Sequence, residues 1–230
     1  MNKIWTSFKK QFTGWTTFEK VLIVVMLVTL LGVNYQWGTN AVGNIATITG
    51  VLCVVLVSKK NVWNYFWGTI NVILYAYIAY QAGYGGDFGL NAFYYLPMQF
   101  VGIYLWLKHP TKTNSEEVVV HKPTTANYIL TIVLLIGLTF LINASMPTWN
   151  EFIGMDANPA SWIDSFTTAA SIVAMVLMVK RMRLQWVIWI AVDILSIIMW
   201  AVFFKDYTMT VLWTAYTLNA IYGFYNWKTK

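Results

Sequence analysis

Residues 61–71 read NVWNYFWGTIN and set Trp63, Trp67 and Asn71 at strict four-residue intervals. On a helix that spacing places two indoles and an amide on one stripe. Packing alone accounts for one such helix, because indoles fill space well. A second copy of the pattern asks for another reason. Shifted by 122 positions, Trp67 falls on Trp189 and Asn71 on Asp193. The same shift sets Lys59 and Lys60 beside Arg181, and TITGVLCVVLV beside AASIVAMVLMV. A shift of 121 pairs Tyr95 with Tyr216, Gly102 with Gly223, Tyr104 with Tyr225 and Trp106 with Trp227. The one-residue change is expected in the intervening loop, where an insertion costs little.

These stretches lie in a very apolar chain. Of its 230 residues 58% are hydrophobic and 10% charged, against about 25% charged in a soluble domain. Mean hydropathy is +0.57. A membrane-spanning helix takes roughly 20 apolar residues, and apolar runs between polar breaks predict eight: 19–37, 42–58, 62–82, 89–107, 126–146, 161–179, 184–204 and 209–227. They use nearly the whole length and leave no soluble domain. The first apolar run lacks a small-residue cleavage site after it, so it reads as an uncleaved helix. Cys53 is the one cysteine and forms no intrachain disulfide.

Net charge is +6, and its distribution argues for sidedness rather than nucleic acid. If eight spans alternate, 14 of the 15 Lys and Arg residues fall on one side and Lys205 on the other. Asp87, Glu151, Asp156 and Asp206 occupy the loops opposite the basic ones. The positive-inside rule then makes both termini cytoplasmic.

The expected fold is an all-α polytopic membrane protein. Residues 42–108 and 161–230 form two three-helix repeats. Three spans in direct succession would invert the second repeat, and the fifth span (126–146) restores it, giving parallel repeats in a 3+1+3 plan. Residues 1–38 add a peripheral N-terminal helix, and 109–125 form a polar cytoplasmic linker whose two histidines are solvated. Transporters of this build bind substrate between the halves near mid-membrane.

Polar residues deep in a span face a cavity or a partner helix. Asn71, Gln99, Asp193 and Asn219 come from four corresponding spans at one level. Trp67, Trp186 and Trp189 share faces with Asn71 and Asp193, while Tyr95 and Tyr216 precede Gln99 and Asn219 by four and three residues. Pro97 is expected to kink its helix and free carbonyls. Trp63, Trp106, Trp186 and Trp227 lie near span ends, where belts of interfacial tryptophan are common. Asp193 costs about 2.5–3.5 kcal/mol at the bilayer centre, and no other span carries a Lys or Arg at that depth to pair with it. Asp164 reads as a helix cap or an entrance residue.

Such a site has amides, an acid and flat rings, but no base. It rejects phosphates and carboxylates and suits an uncharged or cationic ring bearing hydroxyls. A cation over an indole gains about 0.5–2 kcal/mol. A retinal protein is excluded, because the last span has no lysine. An intramembrane enzyme needs paired acids, a Ser–His arrangement or metal ligands at one depth, which are not found. No phosphate-binding glycine loop, metal cluster or cofactor motif is present in the sequence.

The runs DSFTTAASIVAMVLMVKRMRLQWVIWIAVDILSIIMW (164–200) and LNAFYYLPMQFVGIYLW (90–106) resemble the PnuC family of bacterial vitamin transporters. The likeness covers the second to eighth spans. It implies a fold similar to the SWEET sugar transporters, an inner-membrane location, a homotrimer, and nicotinamide riboside as substrate, moved by facilitated diffusion with alternating access. Thiamine or riboflavin on the same scaffold is the alternative.

Overall fold

The computed structural model describes residues 2–81, 85–111, 117–154 and 160–228. Lys112, Asp156 and Lys230, which enter the charge pattern above, lie outside them. The helices are α1 (Asn2–Lys10), α2 (Thr17–Gln36), α3 (Ala41–Ser58), α4 (Asn64–Gln81), α5 (Gly85–Gly89), α6 (Leu96–Leu107), α7 (Thr125–Ile153), α8 (Ser161–Val179), α9 (Gln185–Ile198) and α10 (Tyr207–Asn226). Wider π-helical turns join α5 to α6 (Leu90–Tyr95) and extend α9 (Met199–Phe204). Pro97 produces such a widened turn ahead of it: the Leu96 N–H reaches back five residues to Asn91 O. Among the described residues, five helical segments are long and apolar enough to cross a membrane: Thr17–Gln36, Ala41–Ser58, Thr125–Phe152, Ser161–Val179 and Gln185–Phe204. The segments short of that apolarity, α4, α5–α6 and α10, carry many of the polar and aromatic side chains described below.

The turns at one end of the bundle reveal the repeat. Between α3 and α4, Lys60 N–H donates to Val57 O and Asn61 N–H to Leu56 O; between α8 and α9, Arg181 N–H donates to Met178 O and Met182 N–H to Leu177 O. Lys60 and Arg181 both take left-handed backbone angles, φ 60° and 59°. Every one of these pairs is 121 apart. The same offset holds further along. Tyr65 packs over Gly102 and Trp186 over Gly223, and in each case a Cβ on the glycine would strike the ring. Tyr65 meets Trp106 edge-on at 5.0 Å, and Trp186 meets Trp227 edge-on at 5.7 Å.

The 122-residue register expected for the opening stretch therefore does not hold. With no inserted residue in the turn, Trp67 corresponds to Ile188, and Trp189 to Gly68. The two tryptophans are alike in letter and differ in position. Gly102→Ala tests the ring-on-glycine contacts: overpacking there is expected to destabilise by about 2 kcal/mol, read as a lowered thermal midpoint in detergent.

Two N-terminal elements add to the sequence reading. The short helix α1 has no counterpart there. Its Phe8 ring lies 5.0 Å from Trp63 and 6.2 Å from Trp67, and Trp63 Nε1 donates to Ser7 Oγ at 3.2 Å. Helix α2, expected at the periphery, is bonded at both ends. Asn34 Nδ2 donates to Asn44 Oδ1 and Thr47 Oγ1. Buried Glu19 closes a capping box with Thr16 and accepts from Lys59 Nζ at 2.8 Å and the Tyr222 hydroxyl at 2.7 Å, tying α2 to α3 and α10.

The described part of the linker crosses both repeated turns as a strap. Val118 N–H donates to Lys60 O at 3.0 Å, and His121 N–H to Arg181 O at 2.8 Å. Both histidines are exposed, as expected, yet His121 Nε2 lies 2.7 Å from Arg181 Nη2. Partial burial, with the Arg181 and His109 charges, holds His121 below the ordinary imidazole range. The folded chain thus binds fewer protons than the unfolded one as pH falls through about 6.5. Its contribution is present above that pH and is lost below it. Wild type should therefore lose more thermal stability between pH 8 and 5.5 than His121→Gln.

Candidate functional site

One cavity of about 900 Å³ lies between the two repeats, lined by α3, α4, α6, α8, α9 and α10 and the chain around Asp87. It runs from the ends of the helices opposite the strap, near Asn34 and Trp149, down to Val57, Met178 and Trp186. Eight of the nine residues expected at the site line it: Asn71, Tyr95, Gln99, Trp186, Trp189, Asp193, Tyr216 and Asn219.

Trp67 does not. Its Nε1 donates to Gln11 Oε1 at 2.7 Å, and its ring faces α1. The register explains why. A residue at the Gly68 position faces the interior, as Trp189 does, and the preceding position is turned about 100° away.

Local geometry presents the polar groups. Asn71 Nδ2 donates to Ala46 O at 2.8 Å and Asn219 Nδ2 to Val54 O at 2.9 Å, so each amide is anchored on α3 through its nitrogen. Asn219 Oδ1 has no protein partner, and neither do Gln99 Oε1 and Trp186 Nε1. Gln99 and Asn219 are almost wholly buried. Leaving a buried polar group unbonded costs about 1–3 kcal/mol; these atoms are covered as the side chains stand, and a turn of the Gln99 amide into the cavity would let a ligand supply its missing bond. Gly68 makes room for Gln99, since a Cβ at that position would lie 2.6 Å from Gln99 Oε1. At the equivalent positions of the second repeat, Trp189 replaces Gly68 and Ala220 replaces Gln99.

Electrostatically the cavity has one sign. Asp87, Asp164 and Asp193 line it, and no Lys, Arg or His does among the described residues. Asp87 lies beside Tyr75, and Tyr95 beside Ser171 of α8. Sequence reasoning set Asp87 in a loop and passed over Tyr75, Ser171 and Trp213. Tyr75 was findable, standing four residues after Asn71 on the same stripe; Ser171 and Trp213 carried no such signal. No group of three or more His, Cys, Asp or Glu residues able to hold a metal ion occurs among the described residues.

Comparison with known proteins agrees with this architecture. The family model described as nicotinamide mononucleotide transporter matches residues 40–229. The nicotinamide riboside transporter PnuC of Haemophilus influenzae is 32% identical over 222 residues, which cover 95% of this chain and 93% of that one. The protein of the same description from Neisseria mucosa is 35% identical over 229 residues, covering 95% and 84%. The crystal structure of the vitamin B3 transporter PnuC superposes with a TM-score of 0.79 at 34% identity, covering 96% of this chain and 95% of that one. An all-helical chain with several membrane-length apolar helices, a central cavity and relatives of this kind belongs to the PnuC family of membrane transporters.

Proposed function

We propose that this protein takes up nicotinamide riboside, an NAD precursor, across the bacterial inner membrane. The family description names a mononucleotide and the relatives' descriptions a riboside, and these substrates differ by a phosphate. The observation that favours the riboside is the sign of the cavity: three carboxylates line it, and no Lys, Arg or His does among the described residues. A phosphate finds no counter-charge there, whereas a pyridinium ring is attracted. Tyr95, Trp186, Trp189 and Tyr216 offer flat faces to that ring. Gln99, Asn71 and Asn219 bond the ribose hydroxyls and the carboxamide, and Asp193 balances the positive ring.

In this reading the chain crosses the membrane eight times, as two parallel three-helix repeats (within 42–108 and 161–230) joined by α7, with α2 as an extra span. Both termini and the strap are cytoplasmic, following the 14-to-1 division of basic residues. Alternating access moves the substrate down its gradient, with no chemical step, and three copies assemble in the bilayer.

Uptake of labelled nicotinamide riboside into proteoliposomes tests the proposal. Protein-dependent flux that excess unlabelled riboside suppresses and the mononucleotide does not is the expected result. Flux of thiamine or riboflavin in its place would overturn the choice of vitamin.

A further inference from the structure

The end of the cavity nearest the strap is closed by a latch with internal twofold symmetry. Trp106, at the end of α6, donates its Nε1–H to Met178 O of α8 at 3.2 Å. Trp227, just beyond α10, donates its Nε1–H to Val57 O of α3 at 2.9 Å. Donors and acceptors both differ by 121 positions, so each repeat's last helix grips the first helix of the other repeat. Both indoles are fully buried, with ring centres 5.9 Å apart. Val57 and Met178 are themselves cavity residues, so the carbonyls being held belong to its floor. Val118 of the strap is buried in the same cluster, while its own N–H is bonded to the Lys60 turn. An anchoring belt at the lipid interface would leave these rings exposed, and they are not.

We propose that Trp106 and Trp227 are the inner gate, and that release of substrate to the strap side requires their two indole hydrogen bonds to break. The proposal rests on the transport reading and the orientation given above. The two seams are unequal. Along α3, Asn219 and Asn226 add bonds to Val54 O and Ser58 O beside that of Trp227. The equivalent positions, Met98 and Leu105, carry no such donors. At this end the α6–α8 seam holds through Trp106, and it is the seam that parts first.

Cys53, the chain's one cysteine, lines the cavity and reports on the gate without engineering. Its modification by a membrane-impermeant maleimide is followed in inside-out and right-side-out vesicles, with Cys53→Ser as the blank. Trp106→Phe keeps a ring and deletes the donor. Loss of one net hydrogen bond shifts the open population about five-fold, so labelling from the cytoplasmic face should quicken by that factor. Trp227→Phe should show a smaller gain, and Val118→Ala should move in the same direction.

Unchanged labelling in folded Trp106→Phe and Trp227→Phe overturns the latch. If either indole variant does not fold, Val118→Ala carries the same test. Acceleration confined to right-side-out vesicles would keep the latch and overturn the orientation. Protection of wild-type Cys53 by nicotinamide riboside is measured alongside. Acceleration without protection leaves the latch standing and removes the substrate assignment.

Discussion

Gln99→Ala is expected to weaken nicotinamide riboside binding about thirty-fold, close to 2 kcal/mol, while the protein stays folded. The side chain is 5% exposed, its Oε1 has no partner in the protein, and it lines the cavity. Truncation removes the oxygen and leaves a ligand hydroxyl or amide with nothing to bond. Trp189→Ala should weaken binding as well, by removing a ring face. Trp67→Phe is the contrasting case: it loses a bond to Gln11 on α1 and should leave affinity where it is. Calorimetry on detergent-solubilised protein separates the three. Unchanged affinity in Gln99→Ala would place the glutamine in packing and remove it from the site.

Glu19→Ala should be the most destabilising of the substitutions considered, by about 3 kcal/mol, since removing one member of a buried ion pair strands the other. One carboxylate accepts from Lys59 Nζ, the Tyr222 hydroxyl and the Thr16 N–H, so three donors on three segments lose their acceptor together. A thermal midpoint lower by roughly 10 °C is the corresponding shift for a chain of this size. Glu19→Gln keeps the shape and should fall between. A midpoint unmoved by Glu19→Ala would mean that α2 is held by its apolar contacts and the Asn34 bonds.

Much of the fold was legible because the chain repeats. The spans emerge from apolar runs interrupted by basic turns, and the turns proved to be equivalent backbone for backbone. Eight of the nine expected positions line the cavity: four are amides or acids, which are expensive at mid-span and seldom idle, and four are aromatics on the same stripes. The register was harder. Two tryptophans in similar company suggested one alignment, while the true one is set by rings lying over glycines, Tyr65 on Gly102 and Trp186 on Gly223. Contact between helices is not written in letter identity. Helix α1 stayed unread for a related reason. Nine residues of mixed composition carry little signal until the indoles that receive them, Trp63 and Trp67, are known to face outward.

The interchange of Gly68 and Gln99 for Trp189 and Ala220 bears on how such a transporter arises. Two identical copies of one unit, paired as separate chains, would line a chamber with two amides or with two indoles, never one of each. A nucleoside has no twofold axis: a flat aromatic end meets a hydroxylated sugar. Carrying the two copies in one polypeptide lets their linings differ, so that Gln99 stands in one half and Trp189 in the other. The latch keeps an indole in each half, Trp106 and Trp227, although its two seams are unequal.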